Sequence, residues 1–292
     1  MSSGLKIKAN MQQQLDEVTE NHRDSSLSFV WTRTSIGHFW DLVAKEPRLQ
    51  NLYFSRQVAT YLIHLAQYAG LNTGRVLDYG CGPGYLAKAL VESGYDTTAL
   101  EFSEASAKRV NRLISPAPNW HGCIASQSVP TPLPDAAFSW IFSIETYEHL
   151  LDEWIEGYFR EMLRLLRPAG QIFLTTPYME DLDGCLILCP ACETRFHRWG
   201  HLRSVTRDEL ISHVIDAGYE VVYCRAIDLC TVGGFIDRPS IRNASIRTVS
   251  TWLKAKYHQR LERKHKPEFP NQYHVRTLPD GPHLVLVAKK QC

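Results

Sequence analysis

The stretch Val76–Leu90, VLDYGCGPGYLAKAL, decides how this chain is read. A short β-branched and aliphatic run ends in an acid, Asp78, then passes through Gly80, Gly82 and Gly84 into a helix expected over Tyr85 to Ser93. Glycine lets the backbone turn sharply and lets a ligand approach where a Cβ would intrude. The helix that follows aims its unpaired N-terminal amides at the same place, so the stretch reads as a nucleotide-cofactor loop. A dinucleotide fingerprint, G-x-G-x-x-G, would need its third glycine at position 85, where this chain has Tyr85. The spacing argues against NAD.

Working outward, TTALEFS from Thr97 reads as a second strand ending in Glu101. It lies about 20 residues past the glycines, where an acid can accept hydrogen bonds from both hydroxyls of a ribose. A helix over Glu104 to Leu113 follows, then a buried strand, Ser139 to Ser143, preceded by a turn at Pro132 to Asp135. From Glu153 to Arg167, apolar residues at 155, 158, 159, 162, 163, 165 and 166 keep a helical period with a wide buried stripe. The turn Arg167 to Gly170 and the strand Gln171 to Thr176 complete LLRPAGQIFLTTP.

In this order the motifs resemble those of the class I S-adenosylmethionine-dependent methyltransferases. That family carries a D/E-x-G-x-G-x-G first motif, an acid closing the second strand, a segment often written LPFPDxSFDxV, and LLKPGGxLxLxTP. The resemblance covers roughly residues 55 to 225. It implies an α/β fold with a Rossmann-like seven-stranded sheet, parallel except for an antiparallel C-terminal hairpin, flanked by helices and covered by an N-terminal helical cap. It also implies the cofactor contacts: Asp78, Gly80 and Gly82, with Gly84 in the same turn, at the methionine end; Glu101 at the ribose; Phe102 on one face of adenine. Gln127 stands where relatives often place an acid against adenine N6, and Ser143 joins the cofactor set. Ser139 stands where the family usually has FD, and Ala169 replaces a common glycine.

Length and composition agree with this resemblance. Lys and Arg total 32 against 31 Asp and Glu, a formal net charge of +1, so no global field demands nucleic acid or an anionic membrane. No apolar run reaches the ~20 residues a bilayer span needs. The first 30 residues carry no apolar signal core, and a cytoplasmic location is expected. Eight cysteines in such a setting read as reduced thiols or metal ligands rather than disulfides.

Two domains are expected, a polar arm with a helical cap over residues 1–72 and the methyltransferase domain over 73–292, with insertions at about 178–204 and 230–282. The cap carries Trp31, Phe39, Trp40, Tyr53, Phe54, Tyr61 and Tyr68 at helix-compatible spacing, broken at Pro47; these rings either fill the core or line a substrate pocket. Thr206 to Glu209, TRDE, is a capping box whose helix ends at Gly218. Tyr219 to Ile227 and His283 to Ala288 form the closing hairpin. The second insertion should hold a helix from about Ala244 to Lys264, with eight Lys or Arg against Glu262 alone between Ile241 and Lys266. That face is either solvated or a docking surface for phosphate on a nucleotide-linked substrate or RNA.

Two constellations could add chemistry. Glu145, Glu148 and His149, in SIETYEHL after the fourth strand, are spaced i, i+3 and i+4 on one side of a helical turn at the carboxyl edge of the sheet. ExxEH resembles the metal-binding turn of small-RNA 2′-O-methyltransferases and of ubiquinone-pathway O-methyltransferases, with His201 the positional match for a further ligand. A divalent ion such as Mg²⁺ there would acidify a substrate hydroxyl; without one, the histidine or an acid acts as general base or packs. The second is LCPACETRFHRWGH. Cys189, Cys192, His197 and His201 give C-x2-C-x4-H-x3-H, close to a zinc-knuckle spacing, and thiolates with imidazoles suit tetrahedral Zn²⁺. The alternative is a recognition loop in which Arg195, Arg198, Trp199 and Arg203 face the pocket.

The reading reached is a methyltransferase that uses S-adenosylmethionine to methylate an oxygen or nitrogen of a small-molecule acceptor. An RNA 2′-O-methyltransferase and a non-catalytic S-adenosylmethionine-binding regulator are the alternatives.

Overall fold

The glycine turn sits at the middle of a seven-stranded sheet in a computed structural model that describes residues 28–114, 116–229 and 281–291. The expected helix over 244–264, its basic face and most of the polar arm lie outside the described residues. Strands β1 (Arg75–Tyr79), β2 (Asp96–Glu101), β3 (Trp120–Ala125), β4 (Phe138–Ile144) and β5 (Leu166–Pro177) are parallel neighbours in the order β3-β2-β1-β4-β5. Beyond them come β9 (His283–Lys290) and then β8 (Tyr219–Ile227), with β9 antiparallel to both β5 and β8. The expected mixed topology is observed, and β3, which the sequence reading left undelimited, forms the far edge.

Helices cover both faces: α1 (Arg33–Lys45), α2 (Pro47–Gln50), α3 (Phe54–Tyr68), α4 (Tyr85–Glu92), α5 (Glu104–Ile114), α6 (Asp152–Leu165) and α7 (Arg207–Asp216). Successive strand side chains point to opposite faces, and every residue of β4 is buried. Trp140 and Phe142 therefore pack in one cluster with Val58, Leu62 and Leu65 of α3, while Ile141 packs in another with Phe159 and Met162 of α6 and Leu210 and Val214 of α7. β9 divides the same way, Val285 and Val287 against Leu284 and Leu286.

Local signals explain most helix ends. Thr32 and Ser35 exchange side-chain and backbone hydrogen bonds in a capping box that starts α1. Pro47 ends that helix by opening the next one, at the first helical position where its missing N–H costs nothing. At α7 only half of the expected box forms: Thr206 Oγ1 accepts from the Glu209 amide at 3.3 Å.

The first insertion folds as a two-stranded ribbon, β6 (Leu186–Leu188) and β7 (Arg195–His197), and is pinched at its base by a bridge between Tyr178 and Val205. Ser28 bridges Arg195 in parallel, and Phe29 and Trp31 pack on Phe196. The ribbon is thereby laid over the cap at the carboxyl edge of the sheet.

Candidate cofactor and acceptor site

Three cavities run along that edge. The middle one, about 130 Å³, is lined by Asp78, Gly80, Gly82, Glu101, Glu145 and His149. It shares Gly80, Glu101, Phe102 and Trp154 with one of about 240 Å³ on one side. On the other side it shares Trp40, Tyr53, Phe54, Glu145 and His149 with one of about 430 Å³. A single trough thus has two ends joined through the glycine turn.

The turn's shape follows from its glycines. Gly80 and Gly82 have φ of +76° and +52°, and a Cβ on them would come within 2.7 Å of Thr146 and 2.9 Å of the Tyr53 ring. Gly82 N–H donates to Glu101 Oε2 at 2.7 Å and Ser103 N–H to Oε1 at 3.3 Å, which aims the acid across the trough. Burial raises the pKa of Glu101 against the pull of those amides. Asp78 is 2% exposed, its Oδ2 has no hydrogen-bond partner, and burial pushes its carboxyl up to about 7. A buried, unpartnered carboxylate oxygen in a cleft is a natural acceptor for a cationic ligand group.

In the 240 Å³ cavity the expected adenine residues meet partners that the sequence reading missed. Phe102 stacks with Trp154, ring centroids 6.0 Å apart at 30°, and the Arg33 guanidinium sits 5.3 Å over the Trp154 ring while donating to the Gln127 carbonyl at 3.0 Å. Gln127 lines this cavity. The signal for Trp154 was present: a large aromatic ring beside, not within, the buried stripe of α6.

The ExxEH turn faces the 430 Å³ cavity, whose walls include Trp40, Tyr53, Phe54, Tyr178, Trp199 and His283. Only Tyr147–His149 is helical, a single 3₁₀ turn; Glu145 precedes it with a strained φ of +49°. Glu145 still reaches the site because its amide and Oε1 are pinned to Thr175, at 2.9 and 2.8 Å. Burial pushes the Glu145 carboxyl up to about 8, with Glu180 adding to the rise, and carries Glu148 well above the carboxylate range, with Glu145 adding.

Hydrogen bonds decide the histidine tautomers. His149 Nδ1 lies 3.1 Å from the Gly200 carbonyl, which can only accept, so Nδ1 carries the proton and Nε2 the lone pair. His201 Nδ1 is hydrogen-bonded to Glu180 Oε2, a carboxylate, so a proton sits on Nδ1 there too. Burial, with His201 adding, holds the His149 pKa well below the usual value, so its ring is neutral. Glu148 is fully buried; its Oε2 accepts from Thr176 Oγ1 at 2.9 Å, while Oε1, 3.8 Å from His149 Nε2, has no hydrogen-bond partner. Ligand atoms of Glu148, His149 and His201 lie within 4.8 Å of one another. An orphaned carboxylate oxygen beside two imidazoles, each held by an outer hydrogen bond, fits a divalent cation.

Several expectations require correction. Ser143 lines none of these cavities. It is 1% exposed, donates to the Tyr79 carbonyl at 3.3 Å and accepts from Tyr158 at 2.6 Å, a strut between β1, β4 and α6. Gly84 is absent from the cavity walls too; it caps α4 at φ +81°, and a Cβ there would strike Val110 at 2.8 Å. Arg203 does not enter the pocket but ties down the turn, bonding the carbonyls of Tyr147 and Leu150 at 2.9 and 2.5 Å and Asp152 at 2.6 Å.

The four residues of the expected zinc knuckle are not gathered. In the ribbon, Leu188 pairs with Arg195 and Leu186 with His197, so Cys189, bonded to Thr194, and Cys192 sit at the tip while His197 sits three rungs below. Among the described residues, the two groups of three possible ligands are Glu148–His149–His201 and Glu180–Cys185–His197, neither with Cys189 or Cys192.

A family model described as a methyltransferase domain matches residues 53–223, more than half of the chain. This chain belongs to the methyltransferase domain family. The matched span runs from Tyr53 through the glycine turn, the ExxEH turn and the ribbon to β8. A protein of Mycolicibacterium smegmatis named as a probable S-adenosylmethionine-dependent methyltransferase is 28% identical over 172 residues, 59% of this chain and 61% of that protein. The ubiquinone biosynthesis O-methyltransferase of Idiomarina loihiensis is 33% identical over 109 residues, 37% of this chain and 44% of that protein. The chain thus spans less than two thirds of the length of either relative. Burkholderia thailandensis 1,6-didemethyltoxoflavin-N1-methyltransferase superposes with a TM-score of 0.56 at 14% identity, covering 91% of this chain and 93% of that one, a likeness of fold. No helix among the described residues is long and apolar enough to cross a membrane.

Proposed function

We propose that the chain is an S-adenosylmethionine-dependent O-methyltransferase acting on a hydroxyl of a small acceptor with a planar, apolar body. The observation that carries this reading is the junction at Glu145 and His149, where the cleft of Asp78 and Glu101 opens into an aromatic-walled cavity of about 430 Å³. Asp78, Gly80 and Gly82 hold the methionine end, Glu101 accepts from the ribose hydroxyls, and Phe102, Trp154 and Gln127 enclose adenine. S-adenosylmethionine supplies an already activated methyl group, so the protein's part is alignment and exclusion of water.

Glu148 Oε1, His149 Nε2 and His201 Nε2 are the atoms that would hold a divalent ion, with Glu145 at the rim. Bound there, such an ion would draw both acids into their charged forms and acidify a neighbouring hydroxyl. Glu145, its Oε1 occupied by Thr175, offers Oε2 to take the hydroxyl proton. Trp40, Tyr53, Phe54 and Trp199 keep bulk water from the junction. The relatives that methylate oxygen in ubiquinone biosynthesis support oxygen as the target.

The test is calorimetry with S-adenosylhomocysteine, then transfer of labelled methyl to a metabolite extract and to RNA. Binding followed by label in small phenolic or other hydroxylated metabolites is expected; no cofactor binding removes the reading, and label confined to RNA replaces the acceptor. Glu145→Gln should lower turnover by about 10²-fold or more while leaving cofactor affinity within a few-fold.

A further inference from the structure

Between the ExxEH turn and the ribbon, His201 also takes part in a second cluster, with Glu180 and His197. Glu180 follows β5 by three residues and lies between two imidazoles: His201 Nδ1 bonds its Oε2, while the buried His197 Nε2 lies 3.4 Å from its Oε1, within ion-pair range but not aligned as a hydrogen bond. The two rings stack, centroids 4.3 Å apart at 23°. His197 Nδ1 accepts from the backbone amides of His201 at 3.1 Å and Trp199 at 3.4 Å, so its proton resides on Nε2, facing Glu180. Although Glu180, Cys185 and His197 come within 4.8 Å, this tautomer leaves His197 with no lone pair for a metal, and the group reads as an electrostatic clamp on the Glu180 carboxylate.

We infer that Glu180, steadied by His197, is the positioning residue of the candidate ion site: it holds the proton on His201 Nδ1 and so leaves Nε2 as the nitrogen able to join Glu148 and His149. A carboxylate behind a ligating imidazole fixes ring orientation and tautomer, and its loss costs metal affinity without removing a ligand. His197, 3% exposed and tied to two backbone amides, in turn fixes the carboxylate. The inference rests on the ion reading above.

The experiment uses the whole chain, ¹⁵N-labelled, in wild-type, Glu180→Ala and Glu180→Gln forms. Long-range ¹⁵N–¹H correlation reads the His201 tautomer without added metal, and Mn²⁺ titration by electron paramagnetic resonance reads ion affinity. S-adenosylhomocysteine binding serves as the folding control, since Glu180 lies outside the cofactor cleft. Wild type should show His201 protonated at Nδ1 and bind Mn²⁺. Glu180→Ala should lose that single tautomer and bind Mn²⁺ about 10- to 100-fold more weakly, with Glu180→Gln, which keeps one acceptor oxygen, in between. An unchanged tautomer and unchanged Mn²⁺ affinity in Glu180→Ala overturns the positioning role and leaves the ion reading standing. Failure of wild type to bind Mn²⁺ overturns the ion reading and this role with it.

Discussion

Glu101 does two jobs with one carboxylate, since each oxygen already accepts a loop amide while the group faces the trough. Glu101→Ala should therefore weaken S-adenosylhomocysteine binding at least tenfold by calorimetry. Hydrogen bonds to a charged acceptor contribute about 1.5–3 kcal/mol each, and the Gly82 amide is orphaned as well. Wild-type affinity in that variant would place the ribose elsewhere. Asp78 predicts a pH dependence. Its pKa rises from 3.8 to about 7 on folding because burial penalises the charge, so the fold favours the protonated form. That contribution is fully present below about pH 4 and is lost as pH rises through 7, at roughly 1.4 kcal/mol per unit. Thermal melts of cofactor-free protein from pH 4 to 7 should fall less steeply for Asp78→Asn than for wild type; equal slopes would exclude Asp78 as a source.

At the scale of elements, the irregular start of β5 carries a residue in an unfavourable conformation. Ala169 has φ +60° where relatives commonly have glycine. A left-handed alanine costs about 1–2 kcal/mol, partly offset by the greater unfolded-state freedom of glycine, so Ala169→Gly should stabilise the fold by about 0.5–1 kcal/mol in denaturant titration. The ribbon gives a complementary expectation: with Cys189 and Cys192 at its tip, Cys189→Ser and Cys192→Ser should leave the Mn²⁺ affinity of wild type unchanged. A tenfold loss would bring the tip back to the ion site.

These elements also mark how far the sequence could be read. The glycine turn, β2 and Glu101 were legible because each is local: strand pattern, turn residues and an acid at a fixed spacing suffice. The ExxEH cluster was legible although Glu145 lies off the helical turn, because β5 supplies Thr175 to hold it. The knuckle was misread because spacing along the chain does not record which rung of a ribbon a residue occupies. Glu180 went unseen because only the Tyr178–Val205 pinch brings it beside His201, 21 positions away in sequence. The alternative that set Arg203 facing the pocket fails because nothing local tells a substrate-binding guanidinium from one that ties down backbone carbonyls.

For the molecule as a whole, the order of strands differs from their order of synthesis. β8 has one neighbour in the sheet, β9, and β9 is also what covers the outer edge of β5. While a ribosome is still adding the residues between Ile227 and His283, β5 presents an open row of amides and carbonyls, and β8 has nothing to pair with. At about 5–20 residues per second that interval lasts several seconds, long enough for an unprotected edge to find another chain. A nascent chain halted after residue 229 should therefore be held by chaperones or aggregate, and co-expressing the segment from 281 onward should not rescue it efficiently, since a detached strand must arrive by collision. If the halted chain were instead monomeric and bound S-adenosylhomocysteine, the last strand would be dispensable for closing the sheet.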